Sequence, residues 1–171
     1  MEILSNATNV IAEGEVLQLL NMHDPDVTVE RYLQVIRYKT AKLFEASAQL
    51  GAVLAGADAA MEEAAAEYGR RIGTAFQLID DMLDYTASAE QMGKNAGDDL
   101  REGKPTLPLL HLLEHGTAEQ RELARDAIVQ GGTEHFDAVF SAIHASGALE
   151  VTFAAARHEA EAAERAAMQF P

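Results

Sequence analysis

The sequence predicts an all-α protein, a bundle of antiparallel helices, on three observations. Alanine fills 32 of the 171 positions against only four prolines, a mixture that favours helix. Apolar side chains recur at spacings of three and four over long stretches. Runs of β-branched residues that would suit strands are few. The length and a hydrophobic content of 48% are enough for one domain with its own core.

The elements follow in order. Residues 2–21 repeat Ile3, Ala7, Val10, Ile11, Leu17 and Leu20 on a helical period, and residues 21–27, with Asp24-Pro25-Asp26, break it. Thr28, with Glu30 and Arg31 behind it, suits the cap of a second helix running to about residue 54. After Ala55-Gly56-Ala57-Asp58, a long third helix is expected over 59–86. A polar, glycine-bearing loop covers 93–104, and shorter helices are expected near 107–114, 118–130, 134–145 and 148–168. There is no internal linker or repeat.

Charge and composition exclude several functions. Thirteen basic against 28 acidic side chains give a net charge of −15, which argues against binding nucleic acid or an anionic membrane surface. Without cysteine there is no disulfide framework, and no thiolate zinc or iron–sulfur site. No apolar run approaches the roughly 20 residues needed to span a bilayer, and Met1-Glu2-Ile3-Leu4 lacks a basic start, so the expectation is a soluble, cytoplasmic protein.

The most informative stretch is Phe76-Gln77-Leu78-Ile79-Asp80-Asp81-Met82-Leu83-Asp84. At about 100° per residue, with Asp80 at zero, Asp84 falls near 40°, Gln77 near 60° and Asp81 near 100°. Phe76, Leu78, Ile79, Met82 and Leu83 fill the opposite arc, so three carboxylates share one face. A solvated acidic face is the ordinary explanation. Against it, Asp80 and Asp84 repel at i,i+4, and no Lys or Arg lies between Arg71 and Lys94 to offset them. A divalent cation would do so, and oxygen ligands suit Mg²⁺.

On the second helix, a regular wheel puts Lys39 within about 60° of Tyr32, Ile36, Leu43 and Leu50, inside the apolar stripe, and places Lys42 on the solvated side with Arg31 and Glu45. A lysine there either snorkels outward or meets an anion such as a phosphate, with the Thr40 hydroxyl as a second donor. Lys94 and Lys104 bracket the glycine-bearing loop, which is either a charged surface loop or a cradle for phosphate oxygens.

Taken in order, these residues resemble a family. Glu13-Gly14-Glu15 with Gln18, Lys39-Thr40-Ala41-Lys42-Leu43-Phe44, Phe76-Gln77 with Asp80-Asp81-x-x-Asp84, Gly93-Lys94, Gly97-Asp98-Asp99-Leu100 and Glu102-Gly103-Lys104-Pro105-Thr106-Leu107-Pro108 are similar to the C-terminal half of trans-polyprenyl diphosphate synthases, most of all the bacterial octaprenyl type. The resemblance implies the all-α isoprenoid synthase bundle, here a partial one, with residues 1–171 as the C-terminal part of the domain. It implies transfer of the prenyl group of an allylic diphosphate to isopentenyl diphosphate, with loss of diphosphate and with Mg²⁺, for the side chain of membrane quinones. Asp80, Asp81 and Asp84 would then be the second aspartate-rich motif and hold the metal. Lys39, Lys94 and Lys104 would bind the diphosphate, while Thr40 and Gln77 would flank the reacting carbon. A half-bundle leaves apolar helix faces without partners, so a homodimer or higher oligomer is expected.

The departures are as definite. Asp-Asp occurs only at 80–81 and 98–99, so the first aspartate-rich motif and the arginines that bind isopentenyl diphosphate are not in this sequence. A fragment with little activity of its own is the expectation, and a non-catalytic dimerising helical module is the alternative. A remoter reading is a zinc peptidase, because His111-Leu-Leu-Glu114-His115 fits the H-x-x-E-H pattern.

Overall fold

The computed structural model describes residues 2–86, 97–132 and 134–170. Its elements are α1 (Glu2–Asn21), α2 (Val29–Ile36), a π-helical segment (Arg37–Ala41), α3 (Lys42–Leu54), α4 (Ala59–Leu83), α5 (Asp98–Arg101), α6 (Leu107–His115), α7 (Ala118–Gln130), α8 (Phe136–Ser146) and α9 (Ala148–Ala167). There is no strand among the described residues, and the all-α expectation is met.

Local chemistry sets the boundaries. The Thr28 hydroxyl accepts the Arg31 N–H at 3.3 Å and starts α2. Asp58 accepts the Met61 N–H at 2.9 Å at the start of α4. Thr117 and Gln120 form a reciprocal capping box on α7. Helix α4 ends three residues before the expected position because the Tyr85 and Thr86 amides reach back only three residues, to Met82 and Leu83. No single helix among the described residues is long and apolar enough to cross a membrane.

The chain forms two compact units. The first comprises Met1–Leu17, Leu33–Gln77 and Ala155–Pro171, and the second Gln18–Tyr32 and Leu78–Ala154. The interior of the first is rich in alanine: Ala41, Ala46, Ala64, Ala65, Ala66, Ala156 and Ala163 are buried. Small residues let helix backbones approach closely. A methyl group added to Gly14 of α1 would stand 2.6 Å from the Lys39 backbone nitrogen, and one on Gly73 of α4 would stand 2.6 Å from Ala41 Cα. In the second unit α6, α7 and α8 pack together around Leu109, Leu112, Ile128, Val139 and Ile143, with Tyr85 and Leu100 in the same core.

Two expectations about helix faces need correction. Of the apolar stripe on α1 only Ala7 is buried, and Leu20 is exposed. On the second helix, the wheel assumed an uninterrupted α-helix, but Lys42 N–H donates to the Arg37 carbonyl five residues back. The π turn adds one residue and rotates everything after it by about 100°. Leu43, expected in the stripe, is 55% exposed. Lys42, expected in solvent, is 17% exposed and lies 2.6 Å from Glu45. Lys39 is about one-third exposed rather than buried in the stripe, and its ammonium pairs with Glu15 at 3.1 Å.

Candidate functional site

The carboxylates of α4 enter a network within the second unit. Asp81 is completely buried, which a carboxylate tolerates only with strong partners. Tyr32, also buried, donates its hydroxyl to Asp81 Oδ2 at 2.6 Å, and Lys104 Nζ donates to Oδ1 at 2.8 Å. Lys104 also reaches Asp99 Oδ1 at 3.1 Å, so one ammonium joins two carboxylates. Burial pushes the Asp99 carboxyl up to about 7; the Lys104 charge opposes that shift, and Asp81 and Asp84 add to it. Burial acts to lower the Lys104 pKa, but Asp81 and Asp99 outweigh it and the ammonium is held charged. Burial, followed by the Asp81 charge, raises Tyr32 well above the ordinary phenol range, so it remains a donor.

Asp84 is engaged differently. Gly97, in the left-handed region at φ 82°, turns the chain so that three successive amides face this carboxylate. Asp84 Oδ1 accepts from Gly97 at 3.1 Å and Asp98 at 3.2 Å, and Oδ2 accepts from Asp99 at 3.1 Å. A side chain at the end of α4 thus caps α5. Burial raises the Asp84 pKa against the opposing pull of those amides. Asp80 is exposed.

In the first unit the π segment positions a second group. Thr40 Oγ1 donates to Gln77 Oε1 at 2.8 Å, and Lys39 pairs with Glu15. Phe76, expected on the apolar arc of α4, is more than half exposed, with its ring centroid 5.6 Å from that of Phe44.

The predicted residues therefore fall into two clusters, one per unit: Lys39, Thr40 and Gln77 in the first, and Asp80, Asp81, Asp84 and Lys104 in the second. Lys94 lies outside the described residues. The sequence reading missed Tyr32 and Asp99 as members of the carboxylate network, and Glu15 as the counter-ion of Lys39. Asp99 had a signal, since it stands five residues before Lys104 in the glycine-bearing loop. Tyr32 had none, being 49 residues from its partner.

The donor set in the second unit is all hard oxygen. Among the described residues no three His, Cys, Asp or Glu side chains form a ready-made metal cage. The Asp84 carboxylate accepts from backbone amides, Asp81 bonds Tyr32 and Lys104, and Asp80 is exposed on the same helix. Oxygen donors of this kind suit a hard divalent cation that completes its shell with water and substrate phosphates. The zinc peptidase reading is not favoured, since among the described residues His111, Glu114 and His115 form no metal-holding group. Glu114 and His115 are exposed and meet each other at 3.5 Å, and the His111 and His115 rings lie tilted at 48° with centroids 4.8 Å apart.

Comparison with known proteins gives the family. The model described as polyprenyl synthetase matches residues 1–144. The chain belongs to the polyprenyl synthetase family. It is 55% identical over 172 residues to octaprenyl diphosphate synthase of Escherichia coli (strain K12), covering 100% of this chain and 53% of that protein. It is 46% identical over 162 residues to the all-trans-nonaprenyl-diphosphate synthase (geranyl-diphosphate specific) of Rhodobacter capsulatus, covering 95% and 50%. Among solved structures, the polyprenyl synthase from Caulobacter crescentus CB15 complexed with calcium and isoprenyl diphosphate superposes with a TM-score of 0.93 at 46% identity, over 99% of this chain and 52% of that one. This polyprenyl synthetase chain spans about half the length of the curated relatives it matches. Its all-α fold is the isoprenoid synthase fold of those neighbours.

Proposed function

We propose that these helices are part of a Mg²⁺-dependent prenyltransferase that condenses an allylic diphosphate with isopentenyl diphosphate. The observation that carries this reading is the Asp81–Lys104–Asp99 network, whose buried Asp81 follows exposed Asp80 on α4, in a member of the polyprenyl synthetase family. Asp80, Asp81 and Asp84, as the second aspartate-rich motif, would hold the cation. Bound Mg²⁺ would neutralise the charge that develops on the departing diphosphate.

The remaining roles belong to the chain's own residues. Lys39, Lys94 and Lys104 bind diphosphate oxygens as point charges. Thr40 and Gln77, joined at 2.8 Å, present a fixed pair of polar oxygens to the electron-poor reacting carbon. Condensation also needs a second carboxylate wall and a site for isopentenyl diphosphate, so residues 1–171 act as the C-terminal part of a complete synthase and turn over little on their own. A cytoplasmic homodimer delivering an octaprenyl-type product to membrane quinone synthesis completes the proposal; the octaprenyl relatives support the product class alone.

Product formation from an allylic diphosphate and labelled isopentenyl diphosphate tests it, measured for the chain alone and for a full-length synthase carrying it. The full-length protein should turn over and the chain alone should not. Asp80→Ala in the former should cost about 3–4 kcal/mol of transition-state stabilisation, roughly 10²–10³-fold in kcat. Unchanged turnover in that variant would remove the proposed role of Asp80, and full turnover by the chain alone would refute the need for a second wall.

A further inference from the structure

The first unit contains a string of alternating charges that the proposed chemistry does not use. Lys42 meets Glu45 at 2.6 Å, Glu45 meets Arg70 at 3.6 Å, and Arg70 pairs with Glu67. Glu67 meets Arg71 at 2.6 Å, Arg71 meets Glu159 at 2.9 Å, and Glu159 meets Arg37 at 3.4 Å. The last anion, on α9, is the only acidic member donated by that helix, and its side chain is only 10% exposed. A carboxylate at that depth requires the cations around it.

Its position gives it a specific target, because Arg37 is the first residue of the π segment that carries Lys39 and Thr40. A π turn is less favourable than the α turn it replaces and persists where tertiary contacts hold it. Here three helices do so. Glu15 of α1 holds Lys39, Gln77 of α4 holds Thr40, and Glu159 of α9 holds Arg37. Glu159 also lies outside residues 1–144, the part that the family model matches.

We propose that Glu159 is a positioning residue: by tethering Arg37 to Arg71 it keeps the π turn open and so fixes how Lys39 and Thr40 are presented to a diphosphate substrate. The presentation to substrate rests on the function proposed above, whereas the tether itself does not.

Amide hydrogen exchange on the 171-residue chain tests it, with Glu159→Gln, Arg37→Gln, Arg37→Lys and the double variant Glu159→Gln/Arg37→Gln. Each Gln variant should speed exchange of the amides at 38–42 about tenfold while α6–α8 are unchanged. The double variant should be no faster than the faster single one, because both remove one tether. Arg37→Lys, which keeps the charge, should stay within about twofold of the parent. Unchanged exchange at 38–42, multiplying effects in the double variant, or equal acceleration throughout the chain would overturn the proposal. If Glu159→Gln opens the whole chain, Arg37→Gln decides alone, since it leaves Glu159 paired with Arg71. A separate arm adds MgCl₂ and inorganic pyrophosphate to the parent chain. Slower exchange at 38–42 supports the presentation to substrate; no change there overturns that part, while the exchange rates of the variants still judge the tether.

Discussion

Replacing Asp84 with alanine removes an acceptor whose loss can be sized from the structure. Three amides face the carboxylate, but the Gly97 N–H keeps a second partner, the main-chain carbonyl of Asp84 at 3.2 Å. The variant therefore strips the side-chain acceptor from Asp98 and Asp99, at 3.2 and 3.1 Å. Hydrogen bonds to a charged group contribute about 1.5–3 kcal/mol each, and the half-buried carboxylate gives part of that back as desolvation. A net loss of about 2–3 kcal/mol is expected for Asp84→Ala. For Asp84→Asn the loss should be about 1 kcal/mol, because the amide oxygen still accepts a bond and no charge is buried. Asp80→Ala, at an exposed position on the same helix, should stay within about 0.5 kcal/mol. Urea unfolding at constant m-value measures all three, and amide exchange at 97–101 should localise the damage. Asp84→Ala within about 0.5 kcal/mol of the parent, or Asp84→Asn as damaging as Asp84→Ala, would refute the capping role.

Three further outcomes follow from the same network and crossings. Lys104→Met leaves Asp81 and Asp99 buried against each other, and urea unfolding at pH 8 should show a loss of about 3–5 kcal/mol. Asp99 sits near 7 in the folded chain against an ordinary 3.8, so the native state binds the extra proton; its contribution is complete below about pH 4 and is lost as pH rises through 7. The stability difference between the parent and Asp99→Asn should accordingly move in the variant's favour by about 2–3 kcal/mol between pH 5 and 8, and a flat difference would contradict the shift. Gly14→Ala should lower the thermal midpoint despite alanine's better helix propensity, because the added methyl would stand 2.6 Å from the Lys39 nitrogen; a raised midpoint would mean that α1 does not cross the π segment so closely.

Much of this was legible in the sequence because it depends on residues within a turn or two of one another. Helix existence, the Thr28 cap and the break at 55–58 rest on backbone propensity and on side chains reaching their own next turn, and they appear where expected except for the short α5, which forms inside the stretch 93–104 expected as loop. The spacing of Gln77, Asp80, Asp81 and Asp84 on one helix is likewise local, and together with the lysine motifs it was enough to indicate the family.

What the carboxylates and lysines touch was a tertiary decision. Tyr32 reaches Asp81 across 49 residues, Asp84 caps amides 13 to 15 residues further on, and Glu159 meets Arg37 across 122. No periodicity encodes such pairs, since they depend on where helices cross and how closely glycine and alanine let them approach. The π turn is the sharpest case. Nothing in Arg37-Tyr38-Lys39-Thr40-Ala41 departs from ordinary helix composition, yet contacts with three other helices hold one extra residue in that turn. That single residue rotates the rest of the helix by about 100°, moving Leu43 outward and Lys42 inward, because helical phase accumulates along the chain whereas the forces that reset it come from outside.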